Sequence, residues 1–151
     1  MARRWLAGAI ALVAVLATTF SVRAAAPAGR YSAAGGVVQD SKTGLNWQQG
    51  TSTTSYTWAA AMSYCSNNAA GLPGTGWTLP TIKQLQTLVD DRASSAPTID
   101  TSFFPSTQST VSYWSSTGQA QASGGAWHVN FNDGGTDTSA VTDSLYVRCV
   151  R

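Results

Sequence analysis

Gly76-Trp77-Thr78-Leu79-Pro80-Thr81-Ile82-Lys83-Gln84-Leu85 changes its backbone habit in the middle. Residues 77–80 read as a short extended piece. Thr81 then caps a helix, and Gln84, three residues on, completes a capping box in which two open backbone N–H groups find side-chain acceptors. Ile82, Leu85, Leu88 and Val89 form its buried stripe, and Asp90-Asp91-Arg92 ends it. Toward the N-terminus, Gly71-Leu72-Pro73-Gly74-Thr75-Gly76 is loop chemistry. The segment before it, 58–68, predicts a first helix with Thr57 as N-cap. Trp58, Ala61, Met62 and Cys65 fall at i, i+3, i+4 and i+7, one helical face that turns Cys65 inward. Earlier still, 36–39 and 45–48 read as short strands around the turn Asp40-Ser41-Lys42-Thr43-Gly44. Residues 50–56 form a polar loop, and 27–35 read as a flexible leader.

Toward the C-terminus, 93–112 is a long irregular segment, and such loops are often functional. Strands follow at 113–117 and 126–131. In the second, Trp127, Val129 and Phe131 alternate with His128 and Asn130, which are assigned to the outward face. Asn132-Asp133-Gly134-Gly135 is a hairpin signal. Residues 145–151 close the chain as a strand, with Leu145, Val147 and Cys149 on one face and Tyr146, Arg148 and Val150 on the other. Two capped helices ahead of a run of strands indicate an α+β domain.

The first residues stand apart. Arg3 and Arg4 precede an uncharged run at 5–20, and Ala24, Ala25, Ala26 and Ala28 follow. This is the layout of a secretory signal peptide over 1–26, with cleavage somewhere between 24 and 28. Val22 with Ala24 satisfies the small-residue rule, as does Ala26 with Ala28. The apolar run is short for a bilayer span, so no membrane span is expected after its removal. The chain carries 9 Lys plus Arg against 7 acids, for +2. Without Arg3, Arg4 and Arg23 the balance is 6 − 7 = −1. The mature chain therefore has no electrostatic footprint for nucleic acid, and its folded domain is expected over about residues 36–151. Export to the periplasm, the cell envelope or the outside places Cys65 and Cys149 in an oxidising compartment, where a pair usually bonds.

Several segments in order resemble the Lcl C-terminal domain family. They are Val38-Gln39-Asp40 with Thr43-Gly44-Leu45-Asn46-Trp47, Ala61 and Cys65 in the first helix, and Gly76-Trp77-Thr78-Leu79-Pro80-Thr81 leading to Gln84-Leu85 and Leu88. Ile99-Asp100, Phe104-Pro105, Tyr113-Trp114-Ser115-Ser116-Thr117, Ala126-Trp127 and Tyr146-Val147-Arg148-Cys149-Val150-Arg151 continue the series. The resemblance implies a C-type-lectin-like domain, with two helices packed on small antiparallel sheets, one disulfide, and the chain ends together. It also implies an adhesin-like role for a bacterial extracellular or envelope protein, since the family is named for a collagen-like adhesin whose domain binds sulfated polysaccharide. This chain has no collagen-like repeat, and its mature charge gives no general support for a sulfated ligand. A local patch of Arg148 with Arg151, or Lys83 with Arg92, is the remaining cationic option.

The chemistry available is narrow. One His and no Glu leave little for catalytic metal. Calcium needs only oxygen ligands, and Asp133 with Asn130 and Asn132 is a conceivable cluster, although a hairpin turn explains the same residues. No cofactor is expected. His128 lacks a nucleophile motif around it, so an enzyme is not expected. Sugar binding needs an aromatic face and planar polar groups. Trp114, His128, Asn130 and Asn132 are the candidate ligand residues, for a glycan or another surface ligand. The alternative is a structural or assembly protein that binds another envelope protein, and the 93–112 loop is a second candidate surface.

Overall fold

The computed structural model describes residues 25–120 and 124–151. The signal-peptide assignment thus lies outside the described residues, except at Ala25 and Ala26. Eight elements follow in order: β1 (Tyr31–Ala34), β2 (Val37–Asp40), β3 (Asn46–Gln48), α1 (Trp58–Ser66), α2 (Ile82–Gln86), β4 (Ser112–Gly118), β5 (Gly125–Asn130) and β6 (Thr136–Ala140). They form two three-stranded antiparallel sheets, β1-β2-β3 and β4-β5-β6, with β2 and β5 central. The α+β class, the two helices and the two small sheets agree with the expectation from sequence.

The capping box at α2 forms as expected. Gln84 N–H donates to Thr81 Oγ1 at 3.2 Å, and Thr81 N–H donates to Gln84 Oε1 at 2.8 Å. The helix itself lasts only five residues. Leu88 still reaches the core, from a turn whose N–H bonds Leu85 O at 3.2 Å. At α1, Thr57 has the extended backbone of an N-cap but makes no side-chain cap bond. Ala61 and Cys65, one turn apart, are its buried residues.

Within 27–35, expected as a flexible leader, residues 31–34 instead form β1, whose register places Tyr31 opposite Asp40 and Ala34 opposite Val37. Tyr31 is buried against Phe103 and Phe104, with ring centroids 5.5 and 5.4 Å apart. The tight β1–β2 turn places Gly35 and Gly36 at φ of 58° and 79°, where a side chain would be strained.

The tail is the spine of the molecule. Leu145 pairs with Tyr56, Tyr146 with Tyr113, and Val150 with both Trp47 and Thr78. The anticipated alternation holds, but both faces are inside. Val147 and Cys149 belong to one core cluster with Ala61, Trp77, Leu79 and Trp114. Val150 belongs to the other, with Val38, Trp47, Leu85, Phe104 and Phe131. Cys65 on α1 is bonded to Cys149, with Cα atoms 5.4 Å apart. The bond spans 84 residues, and closing such a loop stabilises by about 4–5 kcal/mol on the chain-entropy account.

Arg148 is fully buried. Its guanidinium carbon sits 4.8 Å from the Phe104 ring centre and 5.5 Å from that of Tyr113. Nη2 donates to Thr107 Oγ1 at 2.9 Å. Burial pushes its pKa down to about 10. The expected Arg148–Arg151 surface patch does not exist, because the tail carries Arg148 into the core. The 93–112 loop is tied down from within by Arg148, by Ile99 and Phe104 in the core, and by Thr98 N–H donating to Phe131 O at 2.7 Å.

Candidate functional site

The β5–β6 hairpin builds the site. Asn130 N–H donates to Gly135 O, and Gly134 N–H to Asn130 O, both at 2.9 Å. Two side chains fasten the turn: Asn130 Oδ1 accepts from Asn132 N–H at 2.8 Å, and Asp133 Oδ1 from Gly135 N–H at 2.8 Å. Two of the oxygens in the Asn130, Asn132 and Asp133 cluster thus hold the turn. Gly134 has φ of 77°, and a Cβ there would lie 2.6 Å from Val89 Cγ1, so glycine is required.

With the turn fixed, the register pairs His128 with Asp137 and Val129 with Thr136. His128, Asn130, Asp133, Gly135, Thr136 and Asp137 line a concavity of about 260 Å³. His128 was assigned to an outward face; it is only 9% exposed. Its ring meets Trp114 edge-on, with centroids 6.2 Å apart. Burial lowers the His128 pKa, more than the nearby Asp137 charge raises it, so the imidazole is neutral at neutral pH. Among the described residues three buried polar atoms have no partner: Trp47 Nε1, Arg148 Nη1 and His128 Nδ1. Of these residues, His128 lines the hairpin concavity.

The four residues singled out from sequence separate here. His128 and Asn130 come together in the concavity. Asn132 is exposed at the turn and does not line it. Trp114 has no exposed surface, and its Nε1 donates to Tyr56 O at 2.8 Å. The expectation that Trp114 offers a ligand an aromatic face is therefore corrected. The strand face that carries it is covered by α1 and the tail, and Trp114 acts as the wall behind His128. Thr136 and Asp137 were missed. Counting the register back across the Asn132-Asp133-Gly134-Gly135 turn would have put Ser139 opposite His128; the observed turn is 131–134, two residues off in register, and it brings Asp137 there.

The lining carries two carboxylates and no cation. Among the described residues no group of three His, Cys, Asp or Glu side chains is placed to hold a metal, and no helix is long and apolar enough to cross a membrane. A wider groove, about 630 Å³, lies between α1 and α2 and is lined by Met62, Leu79, Thr81, Gln84 and Ser116 among others.

The sequence was also compared with known proteins. No curated protein matches it. The family model for the Lcl C-terminal domain matches residues 36–151, which takes in β2 through the tail, the disulfide and the whole hairpin site. On that match, the chain belongs to the Lcl C-terminal domain family.

Proposed function

We propose that this domain is an exported binding module that recognises a hydroxyl-rich ligand, a glycan of the cell surface or envelope, at the β5–β6 concavity. The observation that carries the reading is the buried, unpartnered Nδ1 of a neutral His128, a residue that lines a recess with Asn130, Asp133, Thr136 and Asp137. A buried ring nitrogen without a partner is costly. A sugar hydroxyl seated in the recess partners it once the overlying side chains yield, and the carboxylates and amide around it offer the planar polar groups that fix neighbouring hydroxyls. The two carboxylates repel sulfate, so the ligand is a neutral or amine-bearing sugar. The disulfide supports a place outside the reducing cytoplasm. Binding is inferred in preference to catalysis because the chain has one His and no Glu, and both cysteines are spent on each other.

The test is a glycan array with the exported protein, alongside His128→Phe. Retention of neutral or amino glycans by the native protein, lost in the variant, is the expected result. Binding confined to sulfated glycans, or unchanged in the variant, would sink the assignment of this site. The second reading, an assembly protein docking another envelope protein, is favoured by the apolar Met62–Leu79 part of the α1–α2 groove. It predicts a stable partner recovered from native envelope and not displaced by sugar.

A further inference from the structure

The first described residues are held by two carboxylates. Ala25 N–H donates to Asp90 Oδ2 at 3.0 Å, and Ala26 N–H to Asp100 Oδ2 at 2.8 Å. Arg92 closes over them, with Nη2 donating to Ala25 O at 2.6 Å and Nε to Asp90 Oδ1 at 3.1 Å. Ala26 packs against the core cluster of Tyr31 and Leu88. Ala25 and Ala26 themselves lie outside residues 36–151, the span of the family match.

Three cut points satisfy the small-residue rule at the end of the export signal: after Ala24, after Ala26 and after Ala28. Cutting after Ala26 or Ala28 discards the Ala25 and Ala26 donors and the Ala25 carbonyl, and leaves Asp90 and Arg92 without them. Cutting after Ala24 keeps all three bonds, and it makes the nitrogen beside Asp90 a chain terminus. We propose that the export-linked endopeptidase cuts between Ala24 and Ala25, and that the α-ammonium freed on Ala25 forms an ion pair with Asp90 that clasps the mature N-terminus. Water is the other reactant. The Ala24–Ala25 C–N bond breaks, hydroxyl adds to the Ala24 carbonyl carbon to leave a carboxylate, and the Ala25 nitrogen takes up protons to become an ammonium.

The surroundings favour the charge. A cleft beside the segment, about 290 Å³, is lined by Ala26 and Pro27 together with Asp90, Asp91 and Asp100, with Arg30, Lys42 and Arg92 as its cations. Arg30 is committed to Asp40 at 2.8 Å and Arg92 to Asp90 at 3.1 Å, so the carboxylates nearby are not matched by free cations. Burial opposes ionisation of Asp90, but hydrogen bonds from Arg92 and from the Ala25 backbone outweigh it and hold the carboxyl below its ordinary range. The ammonium's pKa is raised by the pair, so its contribution is whole below the ordinary α-amino value of about 7.7–8.0 and lost as pH rises through the raised one. Asp90, being depressed, contributes above about 3.9 and loses its share as pH falls through its folded value.

The test begins with the full chain exported through its own leader and weighed intact. A mature chain starting at Ala25 is expected; a start at Pro27 or Gly29 would overturn the proposal. On the mature protein, titration of the α-amino group by NMR should give a pKa above the ordinary value, returning to it in Asp90→Asn. N-terminal acetylation should lower Tm at pH 7 by about 1–4 °C, with no such loss when the Asp90→Asn protein is acetylated. An ordinary or depressed α-amino pKa in the native protein would contradict the ion pair, whether or not the variant folds.

Discussion

Asp40 and His128 occupy matching places, each a buried polar side chain on the central strand of a three-stranded antiparallel sheet. Their surroundings differ. Asp40 accepts from Arg30 Nε at 3.1 Å, Arg30 Nη2 at 2.8 Å and Lys42 N–H at 3.0 Å. Burial alone would disfavour its charge, yet these bonds hold its carboxyl below the ordinary carboxylate range. His128 has an aromatic edge beside it and an Nδ1 with no partner. A buried polar group that is fully bonded holds a fold together. One left without a partner beside a recess is the feature on which the proposed binding reading rests. The first sheet is a brace, and the second carries the proposed site.

The largest expected effect is on the brace. Arg30→Met leaves the Asp40 carboxylate buried without its bidentate partner, and should cost about 3 kcal/mol, read as a fall in the urea midpoint at pH 7. Ligand retention by folded Arg30→Met protein should be unchanged. Next, Trp114→Phe removes one of the two donors to Tyr56 O, leaving Leu145 N–H at 3.0 Å, and opens a gap behind His128. It should cost about 1–3 kcal/mol and weaken ligand binding as well, since His128 loses its wall. His128→Phe should depart from the usual cost of a core substitution. It removes a buried nitrogen that has no partner and keeps an aromatic edge toward Trp114, so stability should change by less than about 1 kcal/mol while binding is lost. A pronounced loss of stability there would mean that His128 belongs to the brace after all.

The smallest effect separates the two sheets by pH. His128 has a depressed folded pKa, so its contribution is whole above the ordinary value of about 6.5 and is lost as pH falls through the folded one. Asp40, also depressed, contributes above about 3.9 and is lost only as pH falls through its own folded value. Chemical denaturation across pH 3–8 should therefore show two acid-side steps. His128→Phe should erase the upper one and leave the lower.

What was legible in the sequence was local chemistry. Thr81 with Gln84, the Asn132-Asp133-Gly134-Gly135 turn and the alternation of the tail each follow from neighbours a few residues apart. Pairing Cys65 with Cys149 needed only the oxidising compartment and a count of two. The misses share another cause. Tyr31-Ser32-Ala33-Ala34 has no strand-like alternation, and its pairing comes from Val37 to Asp40 across the turn and from the Phe103–Phe104 shelf. His128 was assigned to an open face, and Trp114 counted as a candidate ligand residue, because one strand cannot reveal that a tail from the far end of the chain covers it. Arg148 was misplaced for the same reason. Asp137 joined the site only through register. The surface of this domain is decided by what the last seven residues bury, and that is a tertiary fact.

The most direct test of the central claim is the protonation and bonding of the His128 ring. Long-range proton–nitrogen NMR of the exported domain at pH 7 should show a neutral imidazole with unprotonated Nδ1 and an apparent pKa below the ordinary value. Addition of a retained glycan should shift Nδ1 as a hydroxyl bonds to it. A ring that carries a proton on both nitrogens at pH 7, or an Nδ1 signal indifferent to a glycan that the protein demonstrably holds, would contradict the account.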